Sequence, residues 1–331
     1  NTLSTPEFKD SKTGGLKTFD YVVANPPFSV KSWTNGVNTG SDPFKRFEYG
    51  VPPEKNGDYA FLLHILASLK STGKGAVILP HGVLFRGNAE GSIRKEIVIR
   101  GYIKGIIGLP ANLFYGTGIP ACIIVIDKEG AAGRTGIFMI DASKGFIKDG
   151  PKNRLRERDL HLIVDTFLNQ TEVDKYSRMV PITEIADAKN DYNLNLPRYI
   201  DTSDPEDLHD LDAHLNGGIP NRDIDALGDF WKVLPKLRKS LFESAGRDGY
   251  SRIAVPANDV QVVIANSEEF KKFSAQIHES LVSWATHADK KMKALGDKTR
   301  PKDFIADLSE LLLSTFKGLP LVDSYEVYQG L

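Results

Sequence analysis

An amide, two prolines and an aromatic ring stand in a row at Asn25-Pro26-Pro27-Phe28, directly after the apolar run "DYVVA". Asn25 offers a side-chain oxygen acceptor. Pro26 and Pro27 fix φ near −65° and carry no N–H, so the chain leaves the strand rigidly and its carbonyls stay free to accept from a ligand. Phe28 sets a flat ring beside those acceptors. Together they suit a planar ring that bears an amino group. Such a nitrogen is a poor nucleophile because its lone pair is delocalised into the ring. Two acceptors on its two N–H bonds draw it toward tetrahedral geometry, and an activated methyl donor then needs little more. A base whose edge is hidden in a duplex has to be flipped out before Phe28 can stack on it. The plainer reading is a Pro-Pro turn with Asn25 as a turn residue and Phe28 as core. Position argues for chemistry, because ligands of open α/β sheets bind beyond the carboxyl ends of the strands.

The elements that would position this tetrapeptide follow from hydrophobic spacing. Between Phe19 and about Asp141, short β-branched runs alternate with amphipathic stretches, the pattern of βαβ units around a mostly parallel sheet. Strands are predicted at "DYVVAN", "GAVILP", "YIKGIIGLP", "ACIIVID" and "TGIFMIDA". A helix is predicted over Asp58 to Ser71, with Phe61, Leu62, Ile65, Leu66 and Leu69 at helical spacing and Asp58 as its cap or as a contact near the site. A second runs from Ala89 to Arg100. The step from "GLPANLFYGTGIP" to "ACIIVID" is too short for a crossover helix, which predicts an antiparallel hairpin at the edge of the sheet.

Beyond Pro151 the character changes. "RLRERDLHLIVDTFL" reads as a helix, the stretch from Tyr176 to Asp201 as irregular, and most of Asp204 to Phe316 as helices, with Pro235 a candidate kink. This tail fits a partner-docking arm and a small helical domain with its own core equally well.

Composition bounds the rest. The 331 residues are 41% hydrophobic and 26% charged, ordinary for a globular chain of two domains. No apolar run approaches the roughly 18 residues that span a bilayer. One cysteine, Cys122, lies in an apolar run, which excludes a disulfide scaffold and fits a reducing cytoplasm. A net charge of −1 leaves any nucleic-acid contact to a local patch or a partner. The seven histidines show no metal-ligand spacing, and no Gly-x-x-x-x-Gly-Lys stretch supports ATP use. His81 follows a strand end and is either a cleft residue or a hydrogen-bonded structural one. The start "NTLSTPEF" has neither Met nor a leader pattern and reads as an internal segment.

With these residues in view, the sequence resembles the amino-methyltransferases that carry an (Asn/Asp/Ser)-Pro-Pro-(Tyr/Phe) motif. More narrowly, it resembles the modification subunit of type I restriction-modification systems. "FDYVVANPPFS", "GAVILPHGVLFRGNAEGSIRKEI", "IIGLPANLFYGTGIPACIIVIDK", "DASKGF", "NDYNLNLPRYI" and "AHLNGGIP" carry the likeness in the family's order. The resemblance implies an α/β fold: the C-terminal half of a Rossmann-like S-adenosylmethionine-dependent methyltransferase sheet with an edge antiparallel strand, then a mainly helical region. It implies a partial catalytic domain over residues 1–200 and a partner-docking region over 201–331.

The implied reaction is methyl transfer from S-adenosylmethionine to N6 of a flipped adenine in double-stranded DNA, in the cytoplasm. A specificity subunit would supply sequence recognition, and a restriction subunit would join the full complex. Carried over by residue, Asn25 and Pro26 would bind the amine, Pro27 would shape the turn and Phe28 would stack on the base. Phe114 and Tyr115, in the loop before "ACIIVID", would wall the base pocket, and Asn1 would meet the cofactor's adenine. Lys152, Arg154, Arg156 and Arg158, in a basic stretch interrupted by Asp149 and Glu157, either contact DNA phosphates or form a solvated face. The family's Gly-rich cofactor loop and following acidic residue have no counterpart here. A sheet without its first strands would expose an apolar edge, which a second polypeptide could complete. Two other readings stand beside this one: a non-catalytic fragment that keeps only partner binding, and an amino-methyltransferase acting on protein glutamine, which the long match outside the motif disfavours.

Overall fold

The run "FDYVVA" forms strand β1 (Phe19–Ala24), and the backbone leaves the sheet at Asn25. A computed structural model of the chain describes residues 1–203, 209–296 and 299–330. Contacts divide the chain after residue 204 into two units, described separately below.

The first unit is built on six strands. After β1 come helix α1 (Asp58–Ala67), β2 (Leu69–Pro80), α2 (Asn88–Ile99), β3 (Ile103–Gly108), β4 (Ala121–Asp127) and β5 (Gly136–Asp141). A short hairpin of β6 (Ile147–Asp149) and β7 (Lys152–Arg154), helix α3 (Glu157–Asn169), β8 (Ser177–Pro181) and the single turn α4 (Ile182–Ile185) complete it. The strand order is β1-β2-β4-β3-β5-β8. β1 runs parallel to β2 and β3 parallel to β5, while β4 is antiparallel to both neighbours and β8 antiparallel to β5.

The hairpin expected at the sheet edge therefore lies inside the sheet. β3 and β4 do pair antiparallel, but β4 also pairs with β2 along its whole length. Its sequence explains the position: "ACIIVID" is buried or half-buried throughout, and an edge would leave its amides and apolar surface unpaired. The antiparallel edge strand is β8, in the segment expected to be irregular. It ends at Pro181, which has no ladder donor to lose.

Helix α1 packs Tyr59, Leu62, Leu63, Ile65 and Leu66 into the core, each buried apolar side chain contributing about 1.5–3 kcal/mol. It ends at Ala67, four residues short of the expected Ser71, because Leu69 already begins β2. Asp58 is its first residue and bonds none of its own amides as a cap. Gly57, just before it, lies against Trp33, whose Cβ a side chain there would meet at 2.8 Å. Cys122 is buried in the same core, and burial pushes its thiol up.

The second unit carries a small sheet of β9 (Ile219–Pro220), β10 (Phe242–Ser244) and β11 (Tyr250–Ile253), which the sequence did not suggest. Around it are α5 (Leu211–Asn216), α6 (Asn221–Asp225), α7 (Gly228–Val233), α8 (Pro235–Leu241) and α9 (Val260–Asn266). The longer α10 (Glu268–Lys293), α11 (Pro301–Phe316) and α12 (Ser324–Gln329) follow. Pro235 does not kink one helix. It opens α8 at its first turn, where a missing N–H costs nothing. Leu234, Leu237 and Leu241 form a local core, and α11 buries Leu308, Leu312, Leu313 and Phe316. Among the described residues, no helix is long and apolar enough to cross a membrane.

Candidate active site

Asn25 stands at the carboxyl end of β1, one residue past the last ladder pair, Ala24 with Val77. Its side chain is exposed while Pro26 is buried, so the turn is anchored and the amide projects. No hydrogen bond among the described residues engages the Asn25 amide or the Pro26 carbonyl. Both residues line the groove that runs along β1.

Two bonds lock the chain just past the prolines. The Ser29 amide donates to Asp58 Oδ1 at 2.7 Å, and the Gly57 amide donates to the Val30 carbonyl at 3.0 Å. Asp58 is fully buried; its other oxygen accepts from Arg86 Nη2 at 2.5 Å, and Arg86 Nε donates to Glu90 Oε2 at 2.5 Å. Burial pushes the Glu90 carboxyl up, while Arg86 opposes the shift.

The Phe28 ring meets Phe114 edge to face, with centroids 5.6 Å apart. Phe114 comes from the β3–β4 connection, so residues 86 positions apart in sequence form one aromatic corner. That connection is held from behind by β7: Lys152 Nζ donates to the Phe114 and Thr117 carbonyls at 2.6 and 3.0 Å, and Asn153 Nδ2 donates to the Ala111 carbonyl at 2.7 Å. Tyr115 is 93% exposed on the same connection and makes no ring contact among the described residues.

On the other side of Asn25 a groove of about 740 Å³ runs along β1, lined among others by Asn1, Thr2, Tyr21, Val23, Asn25, Pro26, Phe61 and His64. Asn1 and Asn25 thus share a wall. The N-terminal segment is fixed there by the buried Arg46, whose Nη1 donates to the Leu3 carbonyl at 2.7 Å and whose guanidinium pairs with Asp42 at 2.8 Å. Burial, with Arg46 beside it, pushes the His64 imidazole down to about 4, so this side chain is neutral at physiological pH. His81 follows β2 at the same end of the sheet. Its Nε2 has no hydrogen-bond partner among the described residues, and burial lowers its pKa.

The remaining basic candidates lie elsewhere and are engaged within the chain. Arg154 pairs with Asp149 at 3.2 Å, while Arg156 and Arg158 pair with Asp159 at 2.9 and 3.5 Å. Among the described residues no cluster of three or more His, Cys, Asp or Glu side chains could hold a metal ion. Arg86 and Arg46 were not singled out from sequence, and Lys152, expected at a phosphate or on a solvated face, instead clasps the Phe114 turn. Asp58 and His81 had been weighed as contacts near the site.

A mixed, mostly parallel α/β sheet with Asn-Pro-Pro-Phe at the carboxyl end of one strand places the chain in a defined class: it belongs to the N-6 DNA methylase family, whose model matches residues 1–208. Among known proteins it is similar to the type I restriction enzyme MjaVII methylase subunit of Methanocaldococcus jannaschii, 34% identical over 59% of this chain and 35% of that protein. It also resembles the MpnII methylase subunit of Mycoplasma pneumoniae, 29% identical over 73% of this chain and 44% of that one. The crystal structure of a type I restriction-modification methyltransferase subunit from Streptococcus thermophilus is 39% identical and superposes over 61% of this chain and 41% of its own, with a TM-score of 0.54. The chain spans less than half the length of these relatives.

Proposed function

We propose that this chain carries the target-base half of a DNA methyltransferase that modifies N6 of adenine within a type I restriction-modification complex. One observation carries the reading: an unengaged amide oxygen and an unengaged carbonyl stand at a strand end beside the Phe28 ring. A flipped adenine stacked on Phe28 would present its exocyclic amine to Asn25 Oδ1 and the Pro26 carbonyl. Both N–H bonds donate, the lone pair localises on nitrogen, and the amine becomes nucleophilic without a strong base. Unstacking the base costs a few kcal/mol, and stacking on an aromatic side chain returns about 1–3 kcal/mol.

S-adenosylmethionine would supply an electrophilic methyl group when bound. The groove beside Asn25 fits part of it: Asn1 offers an amide for a purine edge, and Val23 and Phe61 offer apolar walls. No cation among its lining side chains pairs with an amino-acid carboxylate, since His64 is held neutral. A further polypeptide segment along β1 would complete the cofactor site. Double-stranded DNA, a specificity subunit and a restriction subunit are the partners this reading implies. The cytoplasm is the compartment, and the second unit is the docking region.

Labelled methyl transfer to adenine-containing DNA by the complete complex tests the site. Asn25→Ala should abolish transfer, and undiminished transfer in both Asn25→Ala and Phe28→Ala would sink the assignment. The competing reading, a fragment limited to partner binding, rests on the open groove. It predicts no saturable thermal shift of this chain alone with S-adenosylmethionine.

A further inference from the structure

We infer that Asp58 is a positioning residue for the target-base loop: braced by Arg86, its carboxylate holds the Ser29 amide and thereby sets the Phe28 ring. This rests on the reading above, in which Phe28 carries the base. Ser29 sits at φ 52°, in the left-handed region, where a residue with a Cβ is disfavoured by roughly 1–2 kcal/mol. Something must hold it there. The bond that does so comes from a side chain 29 residues away, at 2.7 Å.

The placement of Asp58 is costly for any other purpose. It is the first residue of helix α1, one past the capping position held by Gly57, and it bonds none of the helix's own amides. It is fully buried, and a buried carboxylate without partners is strongly destabilising. Both oxygens are satisfied, one by Ser29 and the other by Arg86, which Glu90 braces in turn. The relay Ser29–Asp58–Arg86–Glu90 ties the loop to the starts of α1 and α2. If it is cut, Ser29 can relax to negative φ and the peptide after Phe28 turns. A displacement of about 1 Å in such a loop can cost on the order of a hundredfold in rate.

Three variants test the role: Asp58→Ala, Asp58→Asn, which keeps an oxygen acceptor, and Arg86→Met, which removes the brace. Hydrogen exchange of the chain reads the clamp directly. The Ser29 amide should exchange about tenfold faster in Asp58→Ala, the equivalent of one lost hydrogen bond, with Asp58→Asn closer to wild type. Methyl transfer by the complete complex reads the consequence. In Asp58→Ala, kcat should fall about 10–100-fold, with KM for S-adenosylmethionine unchanged and partial rescue by Asp58→Asn. Unchanged Ser29 exchange, or faster exchange with unchanged kcat, overturns the proposal. Loss of folding in all three variants also overturns it, since Asp58 would then serve stability alone. A wild-type complex that methylates no adenine sinks the functional reading, and the positioning role with it. An active wild type with unaffected Asp58 variants sinks the clamp only.

Discussion

The Phe28 and Phe114 rings stand edge to face, with centroids 5.6 Å apart and planes at 70°. One ring follows the acceptors at the end of β1; the other comes from the loop that re-enters the sheet as β4. Insertion of β4 between β2 and β3 brings the two together, since an edge hairpin would carry Phe114 away from β1. An aromatic base stacked on Phe28 would then have the Phe114 ring at its border.

Removing the rings one at a time should separate stacking from walling. Phe28→Ala is expected to lower methyl transfer about 10–100-fold, the loss of 1–3 kcal/mol of base stacking, while Phe28→Trp keeps most activity. Phe114→Ala should cost less. A double-mutant cycle on stability should return a coupling of about 0.5–1.5 kcal/mol for the edge-to-face pair. Additive effects within error would mean that the rings do not touch in solution.

Lys152 presents a different choice, between phosphate contact and loop support. Its ammonium spans two carbonyls of the Phe114 turn, so Lys152→Met should speed hydrogen exchange across residues 109–120 and lower transfer. Arg154→Ala, which breaks only an exposed pair with Asp149, should leave that exchange unchanged. If Arg154 meets a phosphate in the complex, its removal should reduce the salt dependence of DNA binding by about 0.9 in log–log slope. A Lys152→Met protein with wild-type exchange in the turn would return Lys152 to the phosphate reading.

How far the sequence revealed this arrangement depended on whether a feature was local. "ACIIVID" was legible as a strand with its bounds because seven apolar or terminal residues in a row have few alternatives. The motif at Asn25 was legible because prolines fix a backbone without help from the rest of the chain. The neighbour of β4, however, is decided by which strands most need covering, a property of the whole sheet. The β6–β7 hairpin has three residues a side and no periodicity to read, and it is held by bonds to the Asn112 and Ala111 carbonyls. Asp58 appeared as a cap because its neighbours in sequence are helical, whereas its partners Ser29 and Arg86 are 29 and 28 residues away.

The β1 edge bears on how this chain behaves by itself. Tyr21 and Val23 are 75% and 80% exposed, while Val22 and Ala24 face the core. An open, apolar strand edge templates association. Val23→Lys should therefore raise the concentration at which the chain starts to self-associate, measured by light scattering, with little change in Tm. Unchanged scattering would show that this edge is not the route of association.

The neutral imidazole at the groove predicts a pH dependence with a definite sign. In the folded chain burial and the neighbouring Arg46 hold His64 down to about 4, with Asp42 opposing, whereas in the unfolded chain it titrates near 6.5. Between those values the unfolded state binds the proton that the folded state refuses. Stability is thus fully present above about pH 6.5 and declines as pH falls toward 4. His81, lowered in the same direction, adds to the slope. Tm measured from pH 7.5 to 4.5 should fall more steeply for the wild type than for His64→Gln, which cannot titrate, even if the variant starts from a lower Tm. Parallel curves would mean that His64 protonates as readily in the folded chain as in the unfolded one.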